Sequence, residues 1–287
     1  MFTHIKNGIV QLQGDTMHYI RFGHGSKNLI MLPGLGDGLT TVKGTALPMA
    51  FMYRAFAKEY TVYMLSRRNH LYEGASTRDM ACDLKEAMDV LGIPRADFVG
   101  VSMGGMIAQH FAADYPERVG MLVLVVTCAQ PNPILVESVN EWMALAQRND
   151  HVAFMDSNVR RMYSDAYYRK NRWLVPIMGR LTKSGSYERF FIQANACLTH
   201  NALGCLGSIT SPTLVIGGEQ DNTLGADPSR ELASAIPGAT IKMYSEWGHG
   251  LYEEAKDFNQ VVLNFLKVQE KCLRKFNPRR KILRDNH

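Results

Sequence analysis

The 287-residue chain has no long hydrophobic run. Its longest apolar stretch, at residues 121–126, is far too short to span a bilayer. Cysteine is scarce and scattered. Cys82, Cys128, Cys197, Cys205 and Cys272 are odd in number and contain no C-x-x-C pair, which argues against a zinc site or a disulfide framework. The glycine-rich run at residues 33–38 lacks the G-x-x-x-x-G-K-S/T pattern of a phosphate loop. Neither a metal nor a cofactor is therefore expected. The first six residues lack the basic-then-apolar layout of a secretory signal. The expectation is a cytoplasmic protein with reduced thiols.

Net charge is also lacking over most of the chain. The net +5 comes from the end, where Lys267, Lys271, Arg274, Lys275, Arg279, Arg280, Lys281 and Arg284 face only Glu270 and Asp285. The remaining residues carry 24 basic and 25 acidic side chains. Such a tail can bind nucleic acid or an anionic membrane, or form a solvated extension. No nucleic-acid-binding motif accompanies it, so no nucleic-acid partner is expected. Monomer and homo-oligomer are both left open.

With 46% hydrophobic residues, the chain can fill one full domain with an insertion, or two modest domains. Short apolar runs at residues 9–12, 18–22, 28–32, 61–65, 96–99, 121–126, 213–217 and 240–244 predict eight strands. Helices are expected at 47–56, at 77–91 with Thr77 as N-cap, at 229–235 and at 254–268. From about residue 130 to 206 strand runs vanish, and Met, Trp, Tyr and Phe recur among Arg and Lys at helical spacing. The expected layout is an α/β core at 1–129 and 207–270, a helical cap at 130–206 and a basic tail at 271–287. Strands alternating with helices imply a mostly parallel sheet covered on both faces.

The most informative segment is Gly100-Val101-Ser102-Met103-Gly104-Gly105, a G-x-S-x-G-G motif between a strand run and a helix former. A sharp strand-to-helix turn would leave the serine hydroxyl standing free at the tip of the sheet, beside a helix N-terminus. A hydroxyl is a weak nucleophile and needs a base, itself oriented by a carboxylate. The chain supplies both, in order. Asp221 follows the strand at 213–217, and His249 sits between glycines after the strand at 240–244. Glu219 is the rival acid. Two backbone N–H groups should hold the oxyanion, one from Met103 and the other from Leu35 in the loop after the third strand. Pro33 has no N–H to offer.

These pieces resemble the α/β-hydrolase family over residues 9–268, particularly its capped enol-lactonase-like and carboxylesterase-like members. The match rests on Leu32-Pro33-Gly34-Leu35-Gly36, on Gly100–Gly105, on the segment after Asp221 and on Gly248-His249. Arg67-Arg68-Asn69-His70 looks like an altered Arg-Gly-His-Gly turn, with His70 structural. Many members have His-Gly where this chain has Pro33-Gly34, which calls into question the bonds bracing that loop. Serine at 102 argues against the aspartate-dependent dehalogenase and epoxide-hydrolase branches.

The resulting expectation is a serine hydrolase with Ser102, His249 and Asp221 as its triad, acting on an ester, thioester or lactone of a small molecule through an acyl-enzyme. One alternative keeps the triad and cleaves a C–C bond in a ring-opened diketone acid. Another, of a different class, is a non-catalytic small-molecule receptor. The cap cations Arg160, Arg161, Arg169, Lys170 and Arg172 could favour an acidic substrate but are read as the cap's solvated face.

Overall fold

The computed structural model describes residues 4–182 and 185–276, with side chains as far as Lys267. Eight strands form one sheet: β1 (Lys6–Leu12), β2 (Asp15–Phe22), β3 (Lys27–Leu32), β4 (Tyr60–Arg68), β5 (Ala96–Val101), β6 (Val119–Val125), β7 (Thr213–Gly218) and β8 (Thr240–Tyr244). Their order is β1-β2-β4-β3-β5-β6-β7-β8. The β1–β2 and β2–β4 pairs are antiparallel and all the others parallel.

Alternation along the central strands divides the core in two. In β3, Ile30 and Leu32 face one buried cluster and Leu29 and Met31 the other. The first cluster also takes in α2 (Thr77–Val90), α3 (Met103–Asp114) and α9 (Asp227–Ala235). The second takes in α1 (Ala46–Met52) and α11 (Phe258–Phe276). Burial on both faces explains the unbroken apolar run at residues 62–65 in the middle of β4.

The expected sheet and helix order is observed, with local differences. Helix α2 is capped by Ser76, one residue before the expected Thr77. The Ser76 hydroxyl accepts the Asp79 N–H at 3.1 Å, and the Asp79 carboxylate accepts the Ser76 N–H at 2.8 Å. That reciprocal pair is a capping box. Ser76→Ala is expected to cost about 1 kcal/mol in urea unfolding. The final helix comes in two pieces, α10 (Leu251–Glu254) and α11, because Ala255 between them is extended. Helix α11 continues to Phe276, so part of the expected tail is helical, and residues 277–287 lie outside the described residues.

Between β6 and β7 the chain builds a helical cap of α4 (Pro133–Gln147), α5 (His151–Met162), α6 (Asp165–Asn171), α7 (Val175–Leu181) and α8 (Glu188–Leu198). Trp142, Phe154, Tyr187 and Phe190 form its buried aromatic centre. No helix among the described residues is long and apolar enough to cross a membrane.

Where the cap returns to the core, His200 is buried with its ring edge-on to His110 of α3, centroids 5.1 Å apart. Its Nδ1 lies 2.8 Å from the Thr77 hydroxyl. Burial, reinforced by His110, pushes the His200 imidazole down to about 3. The folded protein thus keeps this ring neutral where the unfolded chain protonates it. Stability from this group is full above the unfolded value near 6.5 and falls as pH drops toward 3. Between pH 6.5 and 5 the expected loss is about 2 kcal/mol. Replacing His200 by Gln should flatten that part of the unfolding free energy plotted against pH, whatever its effect at neutral pH.

Candidate active site

Ser102 links β5 to α3 with φ 52° and ψ −120°, a strained conformation for a residue with a side chain. The turn is possible because its neighbours are small. A Cβ on Gly100 would come within 2.6 Å of the Gly104 carbonyl oxygen, and one on Gly104 within 2.1 Å of the Leu32 oxygen. The elbow is held from β6: the Ser102 N–H donates to the Val125 carbonyl at 2.8 Å, and the Thr127 hydroxyl donates to the Ser102 carbonyl at 2.8 Å.

The three triad candidates come together. His249 Nε2 lies 3.0 Å from the Ser102 hydroxyl, and His249 Nδ1 lies 2.8 Å from Asp221 Oδ2. Asp221 and His249 are both buried. The second oxygen of Asp221 accepts the backbone N–H groups of Thr223 at 2.8 Å and Leu224 at 3.0 Å. That leaves Oδ2 aimed at the imidazole. The rival acid is engaged elsewhere, since Glu219 pairs with Arg230 at 2.5 Å.

The loop after β3 lies against the serine. A Cβ on Gly34 would sit 3.4 Å from Ser102 Cβ. Leu35 opens the 3₁₀ turn Leu35–Gly38, and Met103 is the first residue of α3. N–H groups at such first positions have no acceptor within their own helix. Both expected oxyanion donors therefore stand at helix starts beside Ser102.

The bracing of this loop was not legible in the motif. Arg67 Nη2 donates to the Pro33 carbonyl at 2.6 Å. Asp37, whose side chain is fully buried, accepts at Oδ2 from the Arg67 N–H at 3.1 Å, Arg189 Nη2 at 2.9 Å and Gln193 Nε2 at 3.4 Å. Arg189 also donates to the Asp37 carbonyl. An ion cluster of Asp37, Arg67 and the cap residue Arg189 thus holds the Pro33-Gly34 loop. The sequence signals were faint: a carboxylate within a glycine-rich turn, and an arginine closing an apolar strand. His70 sits apart, bound to Asp15 at 2.9 Å with its side chain largely exposed.

Arg161 departs from the solvated reading of the cap arginines. It bonds Glu141 at 2.8 Å, Glu137 at 2.8 Å, the Ser138 hydroxyl at 3.1 Å and the Asn222 carbonyl at 3.3 Å, joining α4, α5 and the acid-bearing loop. The end of α5 is also tied to the histidine loop, where the Gly250 N–H donates to the Met162 carbonyl at 2.6 Å.

Ser102 and His249 open into a cavity of about 540 Å³ between sheet and cap. Seven methionines line it: Met31, Met49, Met52, Met64, Met106, Met155 and Met162. Asp37 and Glu253 are its acidic members, and no Lys or Arg lines it among the described residues.

A sheet of this order, a serine at a strained strand-to-helix elbow and a cap inserted after β6 define an α/β hydrolase. A family model described as alpha/beta hydrolase fold matches residues 27–256, and the chain belongs to that family. Among named proteins, it is 31% identical to a 2-hydroxy-6-oxononadienedioate/2-hydroxy-6-oxononatrienedioate hydrolase of Paraburkholderia phymatum. That alignment covers 89% of this chain and 93% of the relative. A protein of the same description from Paraburkholderia xenovorans is 29% identical over 92% of this chain and 94% of its own. Among solved structures, the enol-lactonase from Burkholderia xenovorans superposes with a TM-score of 0.77 at 23% identity, over 91% of this chain and all of that one (100%).

Proposed function

We propose that this hydrolase cleaves an ester, thioester or lactone whose acyl part is apolar and uncharged, with Ser102 as nucleophile. The observation that carries this reading is the relay from Asp221 through His249 to Ser102, opening into an apolar cavity without a cationic lining among the described residues. His249 Nε2 takes the hydroxyl proton as Ser102 Oγ attacks the carbonyl carbon. Asp221 holds Nδ1–H and stabilises the imidazolium. The N–H groups of Leu35 and Met103 receive the oxyanion. Collapse expels the leaving group, protonated by His249, and water then hydrolyses the acyl-enzyme by the same route. The cap, assigned to residues 130–206, covers the site and shapes the pocket.

A second reading is C–C bond hydrolysis of a ring-opened diketone acid, favoured by the names of the relatives. Against it stands the chemistry of the cavity. A substrate named as a dioate carries two carboxylates, and burying a carboxylate without a cationic partner costs several kcal/mol. Methionine side chains adapt instead to varied apolar shapes. The two readings separate in one assay. The purified protein, given p-nitrophenyl acyl esters and ring-opened dienedioates side by side, should turn over the neutral esters with higher kcat/KM. Preference for the diacid would reverse the assignment. Failure of a fluorophosphonate probe to label Ser102, together with tight ligand binding, would favour a receptor.

A further inference from the structure

We infer that the outer face of the cap docks on an anionic lipid surface. Helix α7 lies on α5 through Val175 and Gly179, both buried. A Cβ on Gly179 would come within 3.0 Å of Val152 Cα, so this contact is backbone-close. At about 100° per residue, positions two along from Val175 and Gly179 lie on the opposite side of the helix. Those positions are Ile177 and Leu181, and Trp173 lies in the turn just before the helix. Trp173 is 65% exposed, Ile177 45% and Leu181 77%. Met178 is exposed beside them. Ile177 and Leu181 thus share one exposed face of α7, Trp173 is exposed in the turn that leads into it, and none of the three lines the cavity.

The flanks say what covers this face. Arg169, Lys170, Arg172 and Arg180 flank it in sequence and are all exposed, against the exposed acids Asp165, which Arg169 faces at 4.0 Å, and Asp150 at the start of α5. A second copy meeting this face about a two-fold axis would bring two such basic rims together, at an electrostatic cost. An anionic headgroup layer complements the rim and accepts the Trp, Ile and Leu side chains at its acyl boundary. Because no helix among the described residues crosses a membrane, contact would be peripheral. The inner side of α5, through Phe154, Met155, Asn158 and Met162, lines the active cavity. Docking would therefore place the roof of an apolar cavity against a reservoir of apolar substrates.

The test uses the full chain and vesicles of phosphatidylcholine, alone or with a quarter phosphatidylglycerol. Co-sedimentation should be about tenfold stronger with the anionic vesicles and should weaken as salt is raised. The double variant Trp173→Ser/Leu181→Ser should lose about tenfold in partitioning, with an unchanged circular dichroism spectrum and urea midpoint as proof of folding. Absence of vesicle binding by the parent protein would overturn the proposal. Undiminished binding by the double variant would also overturn it, transferring the effect to the basic C-terminal segment. So would light scattering that shows a dimer for the parent and a monomer for the variant, since a second copy would then cover the face. Vesicle binding is read without turnover, so its outcome is independent of the reaction assigned to Ser102.

Discussion

Ser102→Ala is expected to lower kcat/KM for a neutral acyl ester by roughly four to six orders of magnitude, leaving the circular dichroism spectrum and urea midpoint close to the parent's. The size follows from the way the three side chains work as a unit. Removing Oγ removes the bond-forming atom, while the oxyanion donors and cavity remain. Ser102 is strained by its φ of 52°, and alanine inherits the same backbone, so folding should change little. His249→Gln should lose a comparable factor, and the Ser102→Ala/His249→Gln pair should be scarcely worse than either alone. Asp221→Asn keeps the backbone-bonded oxygen yet presents His249 with the wrong hydrogen-bonding partner, for an expected loss of about 10⁴. Near-normal activity in Ser102→Ala would refute the assigned nucleophile.

Asp37→Asn should produce the largest loss of stability among the substitutions considered, about 3–5 kcal/mol in urea unfolding. Asp37 is the only carboxylate seen to pair with either Arg67 or Arg189 among the described ion pairs. Burial pushes the Arg67 guanidinium below its usual range; Asp37 opposes that shift and Arg189 adds to it. Without the carboxylate, two guanidinium groups, that of Arg67 buried, would face a neutral amide. The same change loosens the loop that presents Leu35, so kcat should fall more than KM rises. Arg67→Met removes the donor to the Pro33 carbonyl as well, and combining Asp37→Leu with Arg67→Met and Arg189→Met should recover part of the stability by removing all three charges. A loss under 1 kcal/mol in Asp37→Asn would show that water or rearrangement satisfies the arginines.

Most of the sheet was legible because the central strands are buried on both faces, which writes each as an uninterrupted apolar run. The α2 cap was misplaced by one residue because Ser76 and Thr77 are both good cap formers, and only the Asp79 carboxylate chooses between them. The aromatic and methionine residues of the cap could not be sorted from spacing. Trp142 and Phe154 turn inward, while Trp173 and Met178 turn outward, and that depends on which side of α7 meets α5. Arg161 was taken for a surface residue because nothing local marks its bonds to Glu137, Glu141 and Asn222.

By itself the sequence determined the α/β order, the serine elbow at Gly100–Gly105 and the ordered candidates Asp221 and His249. Each is written in residues that are neighbours in the chain, where apolar runs, glycines and caps act locally. Only the tertiary structure decided which acid meets the imidazole, what braces Pro33, and that the cavity is lined without a cation among the described residues. Those outcomes join residues far apart, His249 to Ser102 across 147 positions and Arg189 to Asp37 across 152. No local pattern encodes such pairings, because they exist only once the sheet has stacked its strand ends beneath the cap.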